Sequence, residues 1–113
     1  MSLRFIDTHC HFDFPPFTDN EAASLELAAQ AGVEQILVPA VSASRFDLVL
    51  ALAARFKPVY AALGLHPIVI EQHDEAALDS LEQHLAQRPT KLVAIGEIGL
   101  DLYRENPQFA RQQ

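Results

Sequence analysis

The sequence predicts an α/β fold of parallel strands joined by right-handed helical crossovers, with about three and a half βα units. Three observations predict it. Short, strongly apolar runs alternate with longer stretches of helical periodicity. Glycine or proline punctuates most of these segments, as at Gly32, Pro39, Pro58 and Pro89. Residues able to do chemistry follow three of the four expected strands, on the edge where parallel α/β folds place their sites.

Leu3–Ile6 opens a first strand that runs into Asp7-Thr8-His9-Cys10-His11. A loop, Phe12 to Phe17, is stiffened by Pro15-Pro16. Thr18-Asp19-Asn20-Glu21 has the spacing of a capping box. Ala22, Leu25, Ala28 and Ala29 then recur at helical spacing, and Gly32 supplies the stop. Val33–Val38 reads as a buried parallel strand ended by Pro39. Ser44–Phe56 is the second helix, capped by Ser44 and Asp47, with Phe46, Val49, Leu50 and Ala53 on one face. Lys57-Pro58 stops it.

Val59–Leu63 is the third strand and leads into Gly64-Leu65-His66-Pro67. Asp74 caps a third helix with a Leu78, Leu81, Leu85 stripe, closed by Arg88-Pro89. Lys91–Ile95 is the fourth strand, followed by Gly96-Glu97-Ile98-Gly99-Leu100-Asp101. Asn106-Pro107 has the form of an N-cap followed by proline at the first helical position. No linker or low-complexity segment interrupts this series, so residues 1–113 are expected to form a single domain.

Two architectures fit: an open doubly wound sheet, or an arc of a (β/α)8 barrel. The absence of a Gly-x-Gly-x-x-Gly or Walker-type loop removes support from nucleotide-binding open sheets. A complete barrel takes about 250 residues, and this chain has 113.

Fifteen acidic against eight basic side chains, a net charge of −7, argue against broad, charge-driven nucleic-acid binding. They leave room for an enzyme that grips a few phosphates through metal ions in a small pocket. The single cysteine excludes an internal disulfide, so a reducing cytoplasm is the expected compartment. Arg4 and Asp7 interrupt any signal-peptide-like apolar core. The runs Ile36–Val41 and Val59–Leu65 fall short of the roughly 20 residues that span a bilayer, so no membrane partner is expected.

Strand side chains alternate faces, so His9 and His11 are expected to point the same way, with Asp7 beside them and Cys10 opposite, packed under a helix. Two neutral imidazoles at one strand end form half a site for a divalent transition metal. Taken alone, the pair reads equally as two polar loop residues. Glu97, in a segment otherwise apolar from Leu92 to Leu100, is costly to bury unless paired or metal-bound. It is either anchored to an arginine or helix N-terminus, or a ligand. His-x-His together with Glu97 favours the ligand, and one carboxylate can bridge ions roughly 3.5–4 Å apart.

His66 is either a substrate-phosphate contact or a hydrogen-bonded turn histidine. His73 and His84 are expected to be solvated. Asp7 is a candidate for orienting a histidine from behind. Asp101 either serves near the site or caps a turn.

Asp7-Thr8-His9-Cys10-His11-Phe12-Asp13, Gly64-Leu65-His66-Pro67 and Gly96-Glu97-Ile98-Gly99-Leu100-Asp101 together resemble the opening signatures of the TatD family of metal-dependent hydrolases, most of all its bacterial YjjV-type branch. Order and spacing agree along the whole chain. The resemblance implies the N-terminal half of a TIM (β/α)8 barrel that hydrolyses phosphodiester bonds of DNA, or related ester bonds, with water activated by two divalent ions (zinc, magnesium or manganese). It implies that His9 and His11 bind the first metal, that Glu97 is the catalytic, bridging carboxylate, and that His66 contacts substrate. Exonuclease action and removal of an acyl group from a tRNA-like substrate both stay open.

The family completes its site with two more histidines and an aspartate from the second half of the barrel. The ending Phe109–Gln113 reads as a helix cut early. A truncated, weakly active or inactive form is therefore expected, with unpaired sheet edges that promote self-association. The alternatives are a non-catalytic remnant or assembly module, or another amidohydrolase-like metal hydrolase. The latter usually adds a ligand other than a glutamate from the fourth strand.

Overall fold

The computed structural model describes residues 3–113. Four parallel strands, β1 (Phe5–Asp7), β2 (Val33–Pro39), β3 (Val59–Leu63) and β4 (Leu92–Ile95), lie side by side in chain order. Helices α1 (Glu21–Gln30), α2 (Phe46–Arg55) and α3 (Glu75–Gln87) connect them, and a short α4 (Phe109–Gln112) follows. Two 3-10 turns, Ala43–Arg45 and Pro67–Gln72, precede α2 and α3.

The unreversed order β1-β2-β3-β4 decides between the two architectures, because a doubly wound sheet reverses its order at a switch point. The covering of the sheet agrees. Ile36, Val38, Val59, Ala61 and Leu63 form one core with Phe46, Val49, Leu52 and Ala53 of α2. On the opposite face Ile6, Gln35, Leu37, Tyr60 and Val93 line an open depression. Helices on one face and an open concavity on the other are an arc of a barrel. The outer strands are thinly covered: Ile6 is 62% exposed and Val93 56%.

Several local expectations need correction. The first strand ends at Asp7, two residues before His9. There the Asp7 carboxylate accepts the His9 backbone N–H at 3.0 Å, a local bond that competes with the sheet ladder. The Thr18–Glu21 capping box does not form: α1 starts at Glu21, behind Asn20, with no side-chain cap. Phe17 packs on Phe12, 5.2 Å between ring centroids, and draws that turn onto the core, so helix begins later than the spacing suggested. Along α1 only Leu25 and Ala28 of the expected stripe reach the core; Ala22 and Ala29 are exposed.

Pro39 is the last residue of β2, paired with Ala62, rather than a terminator beyond it. Ser44 lies inside a 3-10 turn, its hydroxyl on Ser42, so α2 begins at Phe46. On α2 it is Leu52 that is buried, with Leu50 only partly so. Asp74 does cap α3, accepting the Ala77 N–H at 2.9 Å. The buried residue of α3 is Ala77, however, and Leu78 is 52% exposed. The last helix starts after Gln108 in the left-handed region, not at Asn106-Pro107. Lys91 stays out of β4; its ammonium donates to the carbonyls of Ala53, Phe56 and Lys57, where α2 ends. Burial pushes that ammonium below its ordinary pKa.

His84 is not solvated. It stacks edge-on against Phe46, with Nδ1 donating to the Ser80 carbonyl at 2.6 Å and Nε2 to Asp47 at 2.9 Å. Two acceptors on two ring nitrogens favour the doubly protonated ring, so the Asp47 bond, then the Ser80 carbonyl, raise its pKa. A raised folded pKa gives stability that is complete below the ordinary histidine value and fades as pH rises through the folded one. Denaturant titration should therefore find His84→Gln destabilising at pH 5.5, with much of the difference gone at pH 8.5. The effect should stay under about 1 kcal/mol because Asp47 is exposed. An equal loss at both pH values would contradict this.

Candidate metal centre

Three strand ends build the site. His9 and His11 stand in the turn after β1, so alternation along a strand is not what aims them. Their rings meet edge to face, 5.0 Å between centroids, and both turn Nε2 toward one carboxylate. His9 Nε2 lies 3.2 Å from Glu97 Oε1, and His11 Nε2 lies 3.3 Å from Oε2.

Glu97 reaches this place through an unusual backbone. Gly96 donates its N–H to Leu63 at 3.0 Å and so extends the β3–β4 pairing one residue past the strand. Glu97 then adopts φ +55°, which costs an L-residue about 1–2 kcal/mol. The turn packs so tightly on β3 that a Cβ on Gly64 would lie 1.9 Å from the Gly96 carbonyl oxygen. Glycine at 64 is therefore required by space.

The resulting carboxylate is 14% exposed, and its Oε2 is buried without a hydrogen-bond partner among the described residues. An orphaned carboxylate oxygen beside two imidazole nitrogens is a donor set that suits a divalent transition metal. Ligating atoms of the three residues all lie within 4.8 Å of one another. The 3.2 and 3.3 Å nitrogen–oxygen separations are close to the roughly 3.3 Å between ligands of a tetrahedral ion with bonds near 2.0–2.1 Å. The residues present thus fit a cation.

His66 joins them from the end of β3, its Nε2 3.7 Å from Glu97 Oε1. Its Nδ1 accepts the Ile68 N–H at 2.9 Å, which caps the following 3-10 turn and leaves the ring proton on Nε2. The structure therefore brings His9, His11, His66 and Glu97 to one place. Asp7 holds the His9 main chain rather than a ring. Cys10 packs against the core, where burial first, then the Asp7 and Asp13 charges, raise its thiol pKa. Asp101 accepts the Tyr103 N–H and caps a turn. His73 is buried, contrary to expectation, because its Nε2 bonds the His66 carbonyl at 2.7 Å.

Sequence reasoning missed the support behind His11. Asp13, 1% exposed, is clamped by Arg45, whose guanidinium donates to Oδ2 at 2.9 and 3.1 Å. Arg45 also lies 4.1 Å over the Phe14 ring, which stands edge-on to His11. An aspartate between Phe12 and Phe14 signals a buried charge that needs a partner. Nothing local names an arginine 32 residues on.

Similarity to known proteins follows the same residues. The profile of the family described as TatD related DNase matches residues 6–113. YjjV of Escherichia coli (strain K12), an uncharacterized metal-dependent hydrolase, is 61% identical over all of this chain and 44% of its own length. An uncharacterized metal-dependent hydrolase of Haemophilus influenzae is 39% identical over 88% of this chain and 39% of its own. Human deoxyribonuclease TATDN3 is 30% identical over 96% of this chain and 41% of its own. The crystal structure of E. coli YjjV, a TatD homolog, superposes with a TM-score of 0.95 over 99% of this chain and 43% of that one. The chain thus spans less than half the length of these relatives.

Proposed function

The chain belongs to the TatD-related DNase family of metal-dependent hydrolases, and from that premise we propose that it is a partial barrel domain whose site serves hydrolysis of phosphodiester bonds in DNA. The observation that supports this reading best is the Glu97 carboxylate facing two histidine nitrogens, one at each oxygen, with its Oε2 buried and without a hydrogen-bond partner among the described residues. His9, His11 and Glu97 would hold one divalent ion, and Glu97, with its second oxygen, would bridge to another. Such ions lower the pKa of water and offset negative charge developing on a phosphoryl group.

The chain's own residues supply the rest. Glu97 is held rigid by the Gly64–Gly96 contact and presents its carboxylate without having to reorganise. His66 offers an Nε2–H to a substrate oxygen beside it. Thin covering leaves the site open to water, so turnover by the 113 residues alone should be weak.

Calorimetric titration with Mn2+ or Zn2+ tests the reading. Saturable binding is expected, weakened at least about tenfold by His9→Ala or His11→Ala, with any release of nucleotides from DNA abolished by a chelator. Uptake unchanged in both variants, or DNA cleavage indifferent to chelation, would refute it.

The exposed strands favour a second reading, an assembly role. Ile6 and Val93 on the concave side, with Ile95 on β4 57% exposed, leave apolar edges that parallel strands normally cover. Light scattering should then show concentration-dependent association; a monomer across the whole concentration range would dismiss that role.

A further inference from the structure

We propose that His73 is a positioning residue that keeps the His66 imidazole turned with Nε2 toward Glu97. The proposal rests on the reading that His9, His11 and Glu97 form the reaction centre, and it assigns a task to a buried group outside that centre.

Every polar atom of His66 except Nε2 is engaged. Its N–H donates to the Val41 carbonyl at 2.8 Å. Its carbonyl accepts the Val69 N–H at 3.2 Å and, more closely, His73 Nε2 at 2.7 Å. Its Nδ1 accepts the Ile68 N–H at 2.9 Å. Of the two bonds to the carbonyl, the one from His73 comes from just past the end of the turn, seven residues on in the chain. Together with the Val69 bond it holds the His66–Pro67 peptide, and the rigid Pro67 leads straight into the Ile68 N–H that meets the ring. Nε2 is then left facing Glu97 Oε1 at 3.7 Å.

His73 is suited to hold this carbonyl. It is only 8% exposed, and donation from Nε2 leaves Nδ1 as a bare acceptor, which is buried without a partner among the described residues. A polar ring is costly to bury half-satisfied, and loss of its one side-chain bond would leave both nitrogens unpaired. The segment is held from the far side as well: the Arg111 guanidinium of α4 donates to the His73 carbonyl. A line of contacts thus runs from α4 through His73 and the His66 main chain to the ring beside Glu97.

The test is two-bond proton–nitrogen correlation spectroscopy of the full chain labelled with 15N-histidine, the His66 signals being assigned with His66→Gln. Wild type should show one fixed His66 ring, protonated on Nε2 with Nδ1 as acceptor. His73→Phe, which keeps the bulk but removes the donor, should collapse this to an averaged pattern. His73→Gln, whose amide can reach the same carbonyl, should restore it. Arg111→Gln, a change at an exposed residue that spares packing, should move the His66 signals in the same direction by less. A His66 pattern unchanged in both His73→Phe and Arg111→Gln would overturn the proposal, as would a folded His73→Gln that fails as fully as His73→Phe. Cation affinity should be unaltered throughout, since His73 touches none of the three ligands. Failure of wild type to bind cation would therefore count against the metal reading without altering the His66 result.

Discussion

Gly64→Ala is expected to be the most damaging single-methyl change in this chain. The added carbon would sit 1.9 Å from the Gly96 carbonyl oxygen and 2.9 Å from that of Glu97. Both are backbone atoms, so no side chain can swing away, and the ends of β3 and β4 must part. Overpacking typically costs about 1–3 kcal/mol and occasionally more; this contact belongs at or above the top of that range. For a domain of this size the melting temperature should fall by roughly 10 °C or more. The same displacement carries Glu97 away from His9 and His11, so cation affinity should drop with stability. Alanine at the adjacent glycine is the control: a Cβ on Gly96 meets nothing nearer than Ala62 at 3.7 Å. Melting curves that treat the two substitutions alike would show that the close approach is not what requires glycine at 64.

Glu97→Ala should separate function from stability. The carboxylate takes part in no hydrogen bond recorded among the described residues and has a buried oxygen with no partner, so without cation the melting temperature should change little. The cation response should differ sharply. A ligand at a hundred times its dissociation constant stabilises a folded chain by about 2.7 kcal/mol. Wild type should show that rise with Mn2+ or Zn2+, and Glu97→Ala should lose it, with affinity down at least about a hundredfold, or some 2.7 kcal/mol. Calorimetry and thermal melts in parallel decide the matter. Retained cation stabilisation in Glu97→Ala would mean that the histidines bind metal without it and that the proposed centre is wrongly drawn.

The four histidine and glutamate positions were legible because each follows a recognisable strand, and parallel topology sends strand ends to one edge. The strand limits of β3 and the cap at Asp74 were equally plain, resting on an apolar run bounded by Pro58 and Gly64 and on one side chain bonding its own helix. Caps at Thr18, Ser44 and Asn106 were misread for a common reason. Local spacing allows a cap, but packing of Phe17, Arg45 and Gln112 decided where each helix begins. His84 differs because solvation follows from which surface lies opposite, and the Phe46 ring is far away in sequence. His73 differs because the turn after β3 folds it back onto the His66 carbonyl, seven residues earlier, which no local spacing announces.

By itself, then, the sequence determined the order of strands and helices, the edge on which the polar residues gather, and the family resemblance that its three motifs carry. Those properties depend on composition, period and chain order, which act over a few neighbours. Tertiary structure alone decided that the sheet is a barrel arc, that Glu97 sits in the left-handed region against Gly64, and that His9 and His11 converge beyond their strand. It also paired Asp13 with Arg45 and His73 with His66. Apart from the His66–His73 bond, which closes a single turn, each of these is a contact between segments distant in the chain or a backbone state imposed by packing, and the free energy that selects it appears only once the strands lie side by side.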